Sequence, residues 1–340
     1  MLLLTACERE LGELTEYESP RLVVNALITA KADSQLVHLR LTGLAHASYV
    51  SQAEVSISRN GEPFCQYTAD GNPAYMLPPT NFDPGDQISI DVRSETSALG
   101  VRQGEHHVSA TAEVPVPVII TGIDTLSVQA KRYRWSTEYE RHTRYLVHLR
   151  LPEGVSADQM QYYRAEVIKN IYTVSSYAVD DNIISQVSVK TDDDHTQFGY
   201  WGDPALTETE NADQENMSVS FDWLDGIENI YHVFRSNYFE NGEYTLRLDL
   251  PEPRFYAPRL GMAQDVRIRI YAISRTEYNY LQALAAMRTL ESGTLYDGEP
   301  GITTNVTGGA GIFCIESMTE VSFYEDRNLL KDGENYYDRN

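Results

Sequence analysis

Clustered carboxylates are the residues here whose type and spacing could do chemistry. Asp192-Asp193-Asp194 places three hard oxygen donors in a row, and Gly202-Asp203-Pro204 follows just after Tyr200-Trp201. Such donors suit calcium, but the run lacks the alternation, invariant glycine and terminal glutamate of an EF-hand loop. The stretch 180–228 holds thirteen acidic residues against one basic residue, Lys190, so about half of the chain's net charge sits in this short stretch. A solvated acidic loop is the first expectation, with calcium at Asp192, Asp193 and Asp194 as the alternative. Tyr200, Trp201 and Asp203 form a candidate contact face, because aromatic rings in a polar loop are unfavourable unless covered. The competing reading has both rings capping a β-sandwich.

Catalytic patterns are missing: the sequence has no nucleophile elbow, zincin pair, phosphate loop or dinucleotide fingerprint. His106 and His107 are adjacent on an expected strand, so their rings point to opposite faces and do not converge on one metal. Carboxylates are numerous enough that pairs arise by chance, which removes the force of a glycosidase argument. The expectation is a protein with no catalytic residues that is not an enzyme.

Cys7, Cys65 and Cys314 are the three cysteines, far apart and without a Cys/His cluster, so neither a disulfide framework nor a zinc site is indicated. Leu4-Thr5-Ala6-Cys7 resembles the lipobox of lipoprotein signal peptidase, which needs small residues to grip an extended chain beside the thiol that is lipidated. The apolar run Leu2–Leu4 is shorter than a working signal core, and the expectation is that the true start lies upstream. Glu8, Arg9, Glu10, Glu13, Glu16 and Glu18 then make an acidic leash with nothing to pack. Cys65 and Cys314 read as small buried hydrophobes.

The elements that must position these residues read as mainly β. With 340 residues, two domains are expected. The formal charge of −23 argues against nucleic acid or anionic headgroups as partners, since both need a surplus of Lys and Arg. Strand-like alternation covers Leu22–Ile28, Leu36–Leu41, Ala53–Ser58, Phe64–Thr68, Gln87–Val92 and Val108–Val114, giving an Ig-like or transthyretin-like sandwich over 21–117 behind a tether at 1–20. Asn60-Gly61 is a type I′ hairpin signal.

Val114-Pro115-Val116-Pro117 cannot continue a central strand, because each proline removes a ladder donor. Beyond it, 118–324 reads as a larger C-terminal β-sandwich. Its strands are Ile119–Val128, Tyr145–Leu151, Tyr163–Tyr172, Val187–Lys190, Ser218–Trp223, Tyr231–Phe234, Tyr244–Leu250 and Val266–Ile273. One helix near 275–290 opens with the capping box Ser274-Arg275-Thr276-Glu277 and packs a stripe through Tyr278, Leu281 and Leu284 on that sandwich. Gly308, Gly309 and Gly311 suggest a close backbone approach or a bulge beside a buried strand. The tail 325–340 is polar and expected to fray.

Three segments carry a family resemblance: Ser236-Asn237-Tyr238-Phe239-Glu240-Asn241-Gly242-Glu243-Tyr244-Thr245-Leu246, Ala272-Ile273-Ser274-Arg275-Thr276-Glu277-Tyr278-Asn279-Tyr280-Leu281 and Asn305-Val306-Thr307-Gly308-Gly309-Ala310-Gly311-Ile312-Phe313. With Leu22–Ile28 and the Val114–Pro117 junction, they resemble the Bacteroidetes lipoproteins designated domain of unknown function 4249. Cys314 stands where such proteins often carry a smaller residue. The resemblance implies a lipid-anchored protein of the outer membrane, exposed at the cell surface and often encoded beside a TonB-dependent transporter, with no agreed site residues to carry over. Acid directly after the lipidated cysteine also looks like the surface-export signal of such bacteria, and Asp124-Thr125-Leu126 looks like their O-glycosylation acceptor, with Thr125 as the modified residue. The leading expectation is a non-enzymatic binding or accessory protein that presents a nutrient such as a peptide or glycan. A structural or adhesive surface module is the alternative, and an envelope hydrolase the third class.

Overall fold

The computed structural model describes residues 21–42, 48–50, 52–68, 74–96, 104–131, 139–156, 159–179, 182–192, 203–207, 229–251, 261–291 and 303–327. Ten strands precede the Pro115–Pro117 connector: β1 (Leu22–Thr29), β2 (Lys31–Ala32), β3 (Gln35–Leu41), β4 (Ser48–Tyr49), β5 (Glu54–Arg59), β6 (Glu62–Thr68), β7 (Ala74–Leu77), β8 (Thr80–Asn81), β9 (Gln87–Thr96) and β10 (Gly104–Glu113). After it come β11 (Ile119–Lys131), β12 (Tyr139–Arg150), β13 (Tyr162–Val179), β14 (Asn182–Asp192), the short α1 (Pro204–Thr207), β15 (Val233–Arg235), β16 (Glu243–Pro251), β17 (Gly261–Ile273), α2 (Arg275–Glu291) and β18 (Ala310–Arg327).

A mixed sheet in the order β14-β13-β17-β18-β1-β3-β4 runs through the molecule, with β15 added on β13 and β7 on β3. The sheet β10-β9-β5-β6 covers one part of its face, and β11-β12-β16 covers another. Period-two alternation supplies both interfaces. Val24, Ala26, Ile28, Val37 and Leu39 meet Val55, Ile57, Ile88, Ile90 and Val108 in the first core. Tyr145, Val147, Leu149, Leu246 and Leu248 meet Val167, Val266, Ile268 and Ile270 in the second. Val114, before the connector, belongs to the first core, and Val118, after it, to the second.

The expected confinement of the first sandwich to 21–117 needs correction. β18 lies parallel to β1, with Val23 opposite Ala310 and Ile28 opposite Ile315, and antiparallel to β17. Phe313 and Ile315 fill the first core, while Val321 and Phe323, on the same face of the same strand, pack against the second. One long strand therefore closes both interiors. A parallel partner so distant in sequence leaves no turn signature, and 21–117 alternates like a self-sufficient module. The polar tail also starts later than 325, since Asp326 and Arg327 still pair with Ala263 and Met262.

Glycine makes this insertion possible. A Cβ on Gly309 would lie 2.3 Å from the Leu22 carbonyl oxygen, and one on Gly311, where φ is +99°, would lie 2.1 Å from that of Val24. The Asn305 amide brackets Phe313, donating to its carbonyl oxygen at 2.6 Å and accepting from its N–H at 3.0 Å. Thr307 exchanges two backbone hydrogen bonds with Ser109 on β10, so the segment crosses from one sheet to the other. The expected close approach is thus observed, and the expected type I′ turn forms, with positive φ at Asn60-Gly61; Asn241-Gly242 has positive φ at both positions too.

Gly311→Ala is expected to lower stability by about 3 kcal/mol or more through clash and backbone strain, read by urea unfolding followed by far-UV circular dichroism. A fragment spanning 21–117 should show no cooperative thermal transition, and a synthetic peptide of residues 303–320 added in trans should restore one.

Candidate functional site

Asp203 lies within the acidic stretch 180–228 singled out by sequence, and its position departs from the expected contact face. It is fully buried. Its carboxylate accepts from the Tyr244 hydroxyl at 2.6 Å, the Arg247 N–H at 2.7 Å and the Ala205 N–H at 2.9 Å, so it caps α1 and binds that turn to β16. Ala205 and Leu206 then fill the second core. Burial raises the Asp203 pKa, opposed by the three hydrogen bonds, and the same burial with the nearby carboxylate raises that of Tyr244. Asp203 is an internal clamp, because satisfying two donors on β16 requires it to face inward. Tyr200 and Trp201 lie outside the described residues, as do Asp193, Asp194 and Cys7, while Asp192 is the last residue of β14.

Thr125 sits on the exposed edge strand β11 opposite Tyr145 of β12, and its side chain faces solvent. Among the described residues no group of three or more His, Cys, Asp or Glu side chains is arranged to hold a metal ion, and no helix is long and apolar enough to cross a membrane. His107 contacts Asp91 at 2.5 Å from an exposed strand end, and His106 lies on the opposite face of β10. Cys65 and Cys314 are free thiols; burial pushes Cys65 up to about 11 and raises Cys314 too, which disfavours the thiolate of each at neutral pH.

Two features escaped sequence reasoning. The first is a shallow groove of about 360 Å³ on the outer face of β10-β9-β5-β6. Gln66, Ser56, Asp91 and Ser109 stand opposite one another across its four strands. The neighbouring row is Ser58, Ser89 and Thr111, with the last two hydroxyls 3.0 Å apart. Small polar side chains on adjacent strands leave a concavity with hydroxyl donors and acceptors on its floor. Each is the outward residue of an ordinary alternating strand, and only the register brings them together.

The second lies under α2, on the opposite face of the large sheet from the two cores. Arg164 of β13 donates to both oxygens of Glu316 on β18 at 2.7–3.0 Å and sits 4.0 Å above the Tyr271 ring of β17. The Tyr271 hydroxyl donates to Glu166 at 2.7 Å, and Arg269 joins Glu166 to Glu320. Glu277 comes down on this group from α2. The Glu277 N–H donates to Ser274 Oγ at 3.1 Å, which is half of the expected capping box. The other half does not form, because the Glu277 side chain turns inward, is fully buried, and among the described residues receives no hydrogen bond from any donor group. Tyr278 and Leu281 of the expected stripe pack on Tyr271, Ile273 and Val233.

The match to a family model spans residues 9–321 of the 340. The chain belongs to the DUF4249 family. That family is described as a domain of unknown function, so membership fixes relationship and leaves activity open. Comparison of this DUF4249 chain with curated proteins finds no match. A solved structure from work on the promiscuous specificity of carbohydrate-binding modules of the β-sandwich superfamily is 8% identical, covering 76% of this chain and 97% of that one, at a TM-score of 0.19. A superposition that loose carries no inference about ligands.

Asp203→Ala should cost about 2–4 kcal/mol, because it strands the Tyr244 hydroxyl and the Arg247 N–H in the core, whereas Asp203→Asn should cost less. Equilibrium urea unfolding of the two variants checks the order.

Proposed function

We propose that this protein is a lipid-anchored, non-enzymatic binding or accessory protein of the outer membrane, exposed at the cell surface, that presents a nutrient such as a peptide or glycan to a TonB-dependent importer. The observation that carries the binding half is a contrast of exposure. The carboxyls with raised pKa, Asp203 and Glu277, are sealed inside packed interfaces, while the open concavity is floored by hydroxyls, an amide and one carboxylate suited to hydrogen-bonding a polar ligand. The membrane half rests on Leu4-Thr5-Ala6-Cys7, the acidic leash behind it and the lipoprotein character that the family resemblance implies. Tyr200 and Trp201 are the residues proposed to touch the importer, and exposed Thr125 is accessible to a glycosyltransferase.

Native purification of the tagged full-length protein from outer membranes is expected to bring down a barrel-type importer, and metabolic labelling with a clickable palmitate analogue should mark the wild type but not Cys7→Ser. Replacing Tyr200 and Trp201 together by alanine should reduce importer recovery several-fold with an unchanged melting temperature. Equal recovery from wild type and the double variant would remove these two rings from the reading. A preparation free of any importer would remove the importer itself.

A further inference from the structure

We infer that Glu277 carries a proton and donates it to the Glu316 carboxylate, so that a carboxyl–carboxylate hydrogen bond latches α2 onto the large sheet and makes this docking sensitive to pH. Glu277 and Glu316 are 0% and 3% exposed, so neither has water to solvate a charge. The guanidinium that faces them, Arg164, is committed by three contacts to Glu316. Glu277 is left against the Glu316 side chain with no donor for its own oxygens among the described residues. Two carboxylates in that position repel, whereas an acid and a carboxylate share a proton.

Other groups facing Glu277 do not relieve it. β17 offers Tyr271, whose hydroxyl is held by Glu166, and β18 adds Cys314, whose thiol lies 3.5 Å from Ser274 Oγ. Arg275, on the helix itself, is exposed. Burial first, and the Glu316 charge second, raise the Glu277 pKa well above the ordinary carboxyl range, with Arg164 opposing.

The sign of the linkage follows. The unfolded chain releases this proton near pH 4.3 and the folded chain holds it higher, so the folded state binds more protons across that interval. This group therefore favours folding most at acid pH, and its contribution falls as pH rises toward the folded value. Loss of the proton puts a second negative charge under α2 and loosens the helix.

The test is thermal unfolding of the full chain between about pH 5 and about pH 9, compared with Glu277→Gln, whose amide can still donate to Glu316. The wild type should lose at least about 2 °C more in melting temperature than the variant over that range. An identical pH slope in both proteins would overturn the latch. Independently, a carboxylic-acid C=O infrared band should persist in the wild type at neutral pH and vanish in Glu277→Gln. A wild type without that band would also overturn it, even were the variant too unstable to melt.

Discussion

A single methyl-sized atom on Gly311 would occupy the space of the Val24 carbonyl oxygen, and most of the architecture follows from its absence. With no Cβ at Gly309 or Gly311, β18 can lie against β1 in parallel register, a pairing that no short turn could create. From there the strand runs on beside β17 and delivers Phe313 and Ile315 to one core and Val321 and Phe323 to the other. The fully buried Phe313 and Ile315 contribute about 1.5–3 kcal/mol each and the partly buried Val321 and Phe323 less, so stabilities of the two interiors are linked through one element.

Charge is distributed by a related logic. The chain carries a large acidic excess, yet the acidic groups the fold has drawn inside are few and have defined partners. Asp203 collects three donors, Asp249 of β16 takes a two-pronged contact from Arg144 of β12 at 2.6 and 2.7 Å, and Glu316 takes Arg164. A buried carboxylate with satisfied oxygens acts as a fixed joint between strands, and each of these ties elements far apart in sequence. Glu277 is the exception, since its neighbour is another acid.

Local features were legible in the sequence wherever one residue type meets one backbone demand. Asn60-Gly61 turns as read, Ser274 caps α2, and the glycines at 309 and 311 make the close approach they suggested. Most strands were visible as alternation. What alternation cannot encode is which strands become neighbours, so the pairing of β1 with β18 and the rows of small hydroxyls across β5, β9 and β10 emerged only with register. Asp203 misled for a different reason. An aspartate in an acidic, aromatic-containing stretch reads as solvated, and only the donors on β16, over forty residues away, turn it inward. The segments that carry the family resemblance are accounted for by structure: a hairpin with its aromatic cluster, a capped helix and the glycine crossing.

The parallel alignment of β1 and β18 also has a mechanical meaning. A pull applied along the axis of β1 meets β18 on one side and β3 on the other. A pull in that direction loads the flanking ladders in shear, with many hydrogen bonds strained together rather than peeled one at a time. β1 is thus gripped from both sides, and a pull along it is resisted by two ladders at once.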